Sequence, residues 1–111
     1  MKICITAKGA TLESPVDERF GRAQYFIIIE SDSGAFEAFQ NPYVDGSGGV
    51  GPKAAQVLVS HDAKALVSGA VGGNAREVLS AAGIAMYTYR DGGSVRDAFD
   101  KFKAGALEHS G

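Results

Sequence analysis

At 111 residues the chain fits one domain with a single modest core, and its 45% apolar and 22% charged content is that of an ordinary soluble globular protein rather than a disordered or membrane-embedded one. A formal charge of −2 without a Lys/Arg cluster excludes a nucleic-acid footprint, which needs a basic stripe to displace counterions. No apolar run approaches the roughly 18 residues of a membrane span, and Met1-Lys2 leads at once into a strand-like run without a secretory h-region or cleavage site, so the expected location is cytoplasmic.

The first predicted strand is Lys2–Ala7, and it carries the single cysteine. Cys4 lies between Ile3 and Ile5, a setting for a small buried hydrophobe rather than a ligand. One cysteine allows no internal disulfide, and His61 and His109 share no ligand spacing with each other or with Cys4. A polar loop, Lys8 to Arg22, closes on Ser14-Pro-Val-Asp-Glu-Arg-Phe-Gly-Arg22 and runs into a strand at about Gln24–Glu30. The unbroken apolar run Tyr25–Ile29 reads as a strand buried on both faces. Phe20 then anchors the loop and Gly21 lets it turn, leaving Asp17, Glu18, Arg19 and Arg22 facing whatever approaches. The same pattern also suits an ordinary solvated loop with one buried aromatic.

Ser31–Gly34 forms a hairpin turn, so the third strand, Ala35–Gln40, must lie antiparallel to the second. Asn41–Gly51, with Pro42 and four glycines, is irregular and leads into a helix over Pro52–His61 with Pro52 at its first position and Ala54, Val57 and Leu58 on one face. Ala65–Ser68 is a fourth strand, Gly69–Gly73 a turn, and Asn74–Ala82 a helix with Ala75, Val78, Leu79 and Ala82 inward and Gly83 as its left-handed cap. Ile84–Tyr89 is the fifth strand. Ser94 and Asp97 form a weak capping-box signature for a last helix striped by Val95, Ala98, Phe99 and Phe102 and ended by Gly105. One domain over 1–105 and a flexible tail over 106–111 follow.

The order β-β-β-α-β-α-β-α predicts an α/β protein with a five-stranded mixed sheet in order 3-2-1-4-5, strand 2 alone antiparallel, and helices on both faces. Strands 1, 3, 4 and 5 then share one carboxyl edge, where the loops 8–22, 41–51, 69–73 and 90–93 meet. In open sheets of this kind ligands bind at that edge where the winding reverses, here between strands 1 and 4. Two glycine-rich loops feeding helix N-termini offer free N–H groups to an anion, with Arg19, Arg22, Lys53 and Arg76 available to add charge. Gly46-Ser-Gly-Gly-Val-Gly-Pro-Lys53 is not a Walker A loop, because it lacks the Ser/Thr after Lys and its Pro removes an amide. The glycines are equally what tight strand-to-helix turns require. Asp17, Glu18 and Asp45 sit on loops, which makes a poor magnesium site, and no nucleophile-base pairing suggests catalysis.

The segment Val16-Asp-Glu-Arg-Phe-Gly-Arg-Ala23 with Tyr25-Phe26, together with Asn41, Gly49-Val-Gly51, Gly69-Ala-Val-Gly72 and Gly83-Ile-Ala-Met-Tyr87, resembles the dinitrogenase iron-molybdenum cofactor biosynthesis family, the NifX-like proteins, over nearly the whole chain. The resemblance implies a three-layer ribonuclease-H-like fold and a non-catalytic role in binding or ferrying an iron-sulfur or iron-molybdenum cofactor precursor, held transiently, with cofactor-assembly proteins as partners. Taken with the edge argument, the expected cofactor-binding residues are Arg19, Phe20, Gly21, Arg22, Gly49, Gly51, Lys53, Gly72 and Gly73, with no catalytic residue, no protein-held metal and no nucleic-acid or membrane partner. Where the family often has a histidine before the Phe-Gly pair, this chain has Arg19, which can neutralise an anion but cannot ligate iron. Two other readings stand beside it: an interaction module of the same fold that has lost the cofactor, and a protein acting on a phosphorylated small molecule.

Overall fold

The computed structural model describes residues 1–43 and 50–109. Among them the elements run β1 (Lys2–Ala7), β2 (Tyr25–Glu30), β3 (Phe36–Gln40), α1 (Val50–Ser60), β4 (Ala63–Ser68), α2 (Gly73–Ala81), β5 (Ala85–Thr88), α3 (Val95–Lys103) and β6 (Glu108–His109). They build one mixed sheet in the order β3-β2-β1-β4-β5-β6. β1 pairs antiparallel with β2 and parallel with β4. β3 is antiparallel to β2, and β5 is parallel to β4. β1, β3, β4 and β5 therefore end at one shared carboxyl edge.

Alternation along the strands divides the core between two faces. Ile3, Ile5, Ile27, Ile29, Ala65 and Val67 pack with Val95 and Ala98 of α3. Cys4, Phe26, Ile28 and Leu66 pack on the other face with Ala54, Ala55 and Leu58 of α1 and Ala75 and Leu79 of α2. Burial on both sides explains why β1 and β2 read as apolar runs without alternation. Each fully buried isoleucine or leucine contributes roughly 1.5–3 kcal/mol by area.

Four expectations are corrected. The sheet has six strands rather than five, because Glu108–His109 pairs antiparallel with Thr88 and Tyr87. β2 is thus not alone in running antiparallel, and the segment after residue 105 is tied down at 108–109. Leu107 packs on the α3 face, and the His109 ring meets Tyr87 edge-on at 5.1 Å, contacts too short-range to leave a periodic signal. α1 opens at Val50, so Pro52 is its third residue rather than its first. That position still lies in the first turn, where an N–H has no intrahelical acceptor.

Candidate functional site at the carboxyl edge

The loop between β1 and β2 is stitched to the sheet edge along its length. Asp17 N donates to Thr6 O at 2.9 Å, Val16 N to Gly93 O at 3.0 Å, Phe20 N to Ala70 O at 3.1 Å, and Ala70 N to Glu18 O at 2.6 Å. Thr6 Oγ1 donates to Asp17 O at 2.6 Å from within the core. Asp17 does not face outward as its sequence context suggested. It is 1% exposed, and its carboxylate accepts from Arg19 N at 3.1 Å and Gln24 N at 3.3 Å, with the Arg19 guanidinium at 3.4–3.5 Å. A buried carboxylate surrounded by donors is a structural keystone rather than a solvated acid. Phe20 is buried against Phe26 at 5.9 Å, as an anchor should be.

Asn41 is a second keystone that carbon-pattern reading passes over. Its Nδ2 donates to both Gly21 O and Ala23 O at 3.0 Å, and its Oδ1 accepts from Tyr43 N at 2.9 Å. The last contact is an Asx turn, and Asn-Pro at the exit of a strand is its available sequence signal.

Four of the expected binding residues come together. Arg22, Gly51, Gly72 and Gly73 line one open cleft of about 320 Å³ between the N-termini of α1 and α2. Gly51 lets the two helices approach, since a Cβ there would stand 3.2 Å from Ala75 Cβ. Gly21 lies directly behind, where a Cβ would come within 3.1 Å of Gly51 Cα. Gly72, by contrast, has φ −66 and ψ 157 at the N-cap of α2, a conformation open to any residue, and nothing lies within 4 Å of where its Cβ would be. No side chain caps this helix. α3 is the opposite case: Ser94 and Asp97 complete a capping box, and Val95 N and Arg96 N donate to Ser14 O and Leu12 O. Its N-terminus is closed by the chain itself.

Arg19 and Lys53 do not line the cleft. Arg19 is bridged through its backbone to Ala70 and keeps its side chain 63% exposed beside Asp17. Lys53 Nζ lies 5.7 Å from the Tyr43 ring centre, a cation–π arrangement. Gly49, like Asp45, falls outside the described residues.

Protein ligands for a metal are not gathered here. Cys4 is fully buried, and burial pushes its thiol far above the ordinary value, so it is no thiolate. His61 stacks on Phe39 at 4.4 Å, and His109 lies on β6. Among the described residues no group of three or more His, Cys, Asp or Glu could hold an ion. What the cleft offers is helix N-terminal backbone at Gly51, Gly72 and Gly73 and the Arg22 guanidinium, among Val50, Pro52, Asn74 and Ala75.

Such a fold defines a small α/β domain with an open cleft at its carboxyl edge. Comparison with known families makes this specific: the family model described as "Dinitrogenase iron-molybdenum cofactor" matches residues 1–105, and the chain belongs to that family. The apo form of the orange protein from Desulfovibrio gigas superposes with a TM-score of 0.94 at 37% identity, over 98% of this chain and 92% of that one. A putative NifB protein from Thermotoga, described as belonging to the DUF35 family, gives 0.86 at 42% identity, over 97% of this chain and 91% of that one. A search of curated proteins finds no match. Family and neighbours together make this a small cofactor-related accessory protein. No helix among the described residues is long and apolar enough to cross a membrane.

Proposed function

We propose that the protein is a non-catalytic carrier that holds an anionic metal–sulfur cofactor or its precursor in the cleft between the α1 and α2 N-termini, without supplying a ligand to the metal. The observation that carries this reading is the uncapped start of α2. Gly72 occupies a position where Ser or Asp would fit without strain and would satisfy the helix, yet the N-terminal amides are left to the cleft beside Arg22. An anion there meets the positive end of the helix dipole and a guanidinium. Neither thiolate nor imidazole lines the cleft, so the cargo arrives with its own sulfur shell and is held by charge and hydrogen bonds. Hold of this kind is reversible, which suits a carrier that must release.

Anaerobic titration with a thiolate-capped iron–sulfur cluster dianion, followed by absorbance and amide chemical shifts, tests this. Saturable binding is expected, with shifts centred on Gly51 and Gly73–Ala75. It should weaken on the order of tenfold between low and high salt, because exposed charge attraction is screened within about 8 Å at physiological ionic strength. Absence of saturation at low salt, or shifts confined to the amino edge of the sheet near Lys2 and Glu30, would overturn the carrier reading.

A further inference from the structure

The two edges of the sheet are unequally guarded. At one side β6 is two residues long, too short to template another strand. At the other side β3 runs five residues, Phe-Glu-Ala-Phe-Gln, in unbroken register with β2, and Phe36 is 44% exposed. It has neither proline, lysine nor bulge, the devices that ordinarily keep an exposed edge from pairing. The bonds flanking β3 fix which way its backbone points. Glu30 N donates to Ala35 O at 2.8 Å and Asn41 N donates to Gln24 O at 3.0 Å. Alternation then turns the amides and carbonyls of Glu37 and Phe39 toward β2 and those of Phe36, Ala38 and Gln40 outward, where no described residue meets them.

Outward groups centred on Ala38 are complementary to themselves under a two-fold axis. A second β3, antiparallel with Ala38 opposite Ala38, sets Phe36 opposite Gln40 and satisfies every outward amide and carbonyl on both strands. Centring on Glu37 instead would leave Gln40 unpaired and oppose two carboxylates, and centring on Phe39 would leave Phe36 unpaired. The side chains fit the Ala38 register too. Each Glu37 faces the second copy's Phe39, whose ring carries His61 stacked at 4.4 Å. A carboxylate already 3.7 Å from its own imidazole therefore comes beside the other copy's as well, acid beside base, with no like charges opposed.

We propose that β3 is a self-association surface, through which two copies of the chain join antiparallel, edge to edge, about Ala38. The carboxyl edges then point to opposite ends of the pair, so both clefts stay open and the proposal stands apart from the carrier reading. A contact made by one short strand buries less than the roughly 1,200 Å² of a lasting complex, so the association is weak, with a Kd on the order of 100 µM.

Sedimentation equilibrium and amide hydrogen exchange of the full chain, from about 10 µM to about 1 mM at constant salt, test this. The weight-average mass should rise toward twice the monomer's. Exchange at Phe36, Ala38 and Gln40 should slow several-fold with concentration, while Glu37 and Phe39, already bonded to β2, stay as they were. In a mixture of labelled and unlabelled chain, an NOE between Glu37 Hα of one copy and Phe39 Hα of the other is expected. Ala38→Pro, which removes the central donor at a position where an edge strand accepts proline, should leave a folded monomer. Phe36→Lys should weaken pairing roughly fivefold, and adding Gln40→Glu should restore it, since the two positions oppose each other only about Ala38. A monomer throughout the concentration range, which would leave the edge to an extended segment of another protein, would overturn the proposal. So would a dimer that survives Ala38→Pro unchanged, or one whose protection falls on β6.

Discussion

The carboxylate of Asp17 is nearly sealed from solvent and accepts from two backbone amides within its own loop, so its removal would take the acceptor from two part-buried donors. Asp17→Ala is expected to cost about 2–3 kcal/mol, read as a lower urea midpoint at unchanged m value. The two loop arginines should separate in binding assays. Arg22 lines the cleft and Arg19 lies outside it, so Arg22→Ala should weaken cluster binding more than Arg19→Ala. Cys4 belongs to the same scale: its buried thiol should react with a thiol reagent only as fast as the protein unfolds. At this level the sequence was partly legible. Phe20 as an anchor follows from its context, but an acid inside a charged run looks identical whether it is solvated or buried, and only the donors folded around Asp17 decide.

Helix ends and the segments that meet them set the next level. Gly72→Asp supplies the missing cap of α2 in a conformation that already accepts it, so stability should rise by a few tenths of a kcal/mol. The same carboxylate occupies the amides and repels an anion, so thermal stability should go up while cluster affinity falls; a loss of both would deny the cleft its role. α3 is tied to the β1–β2 loop by Glu13, whose carboxylate grips Arg96 at 2.7 Å and is thereby held below the ordinary range. A lowered folded value means this contribution is present above the usual glutamate pKa and disappears as pH falls through the folded one. Melting temperature should therefore decline below about pH 4.3, with a smaller decline in Glu13→Gln. Strand and helix positions were readable to within a residue or two, because the helices carry an apolar face, β1 and β2 are unbroken apolar runs, and the short turn after β2 places β3. β6 was not, since a two-residue pairing has no period to detect.

For the molecule as a whole, the strand order β3-β2-β1-β4-β5 was legible because short hairpin turns and glycine-flanked crossovers allow few alternatives. The carboxyl edge as the place where loops converge followed from that order. The cleft itself did not, because it depends on how closely the starts of α1 and α2 approach, with Gly51 facing Ala75. Removing residues 106–111 should cost about 1 kcal/mol, a drop of some 4–8 °C in melting temperature, through loss of Leu107 packing and the Tyr87 edge contact. The stitched loop has a kinetic meaning as well. Releasing it means breaking Val16–Gly93, Asp17–Thr6, Phe20–Ala70 and Ala70–Glu18 pairings that reach from the α3 side to the α2 side of the sheet. Amides of Asp17, Phe20 and Ala70 should accordingly exchange with deuterium as slowly as those of β1, rather than at the rate of a surface loop. On the carrier reading proposed above, the β1–β2 loop meets its ligand already ordered by folding, so that loop should impose no slow rearrangement on loading, and the loading rate should rise linearly with ligand concentration.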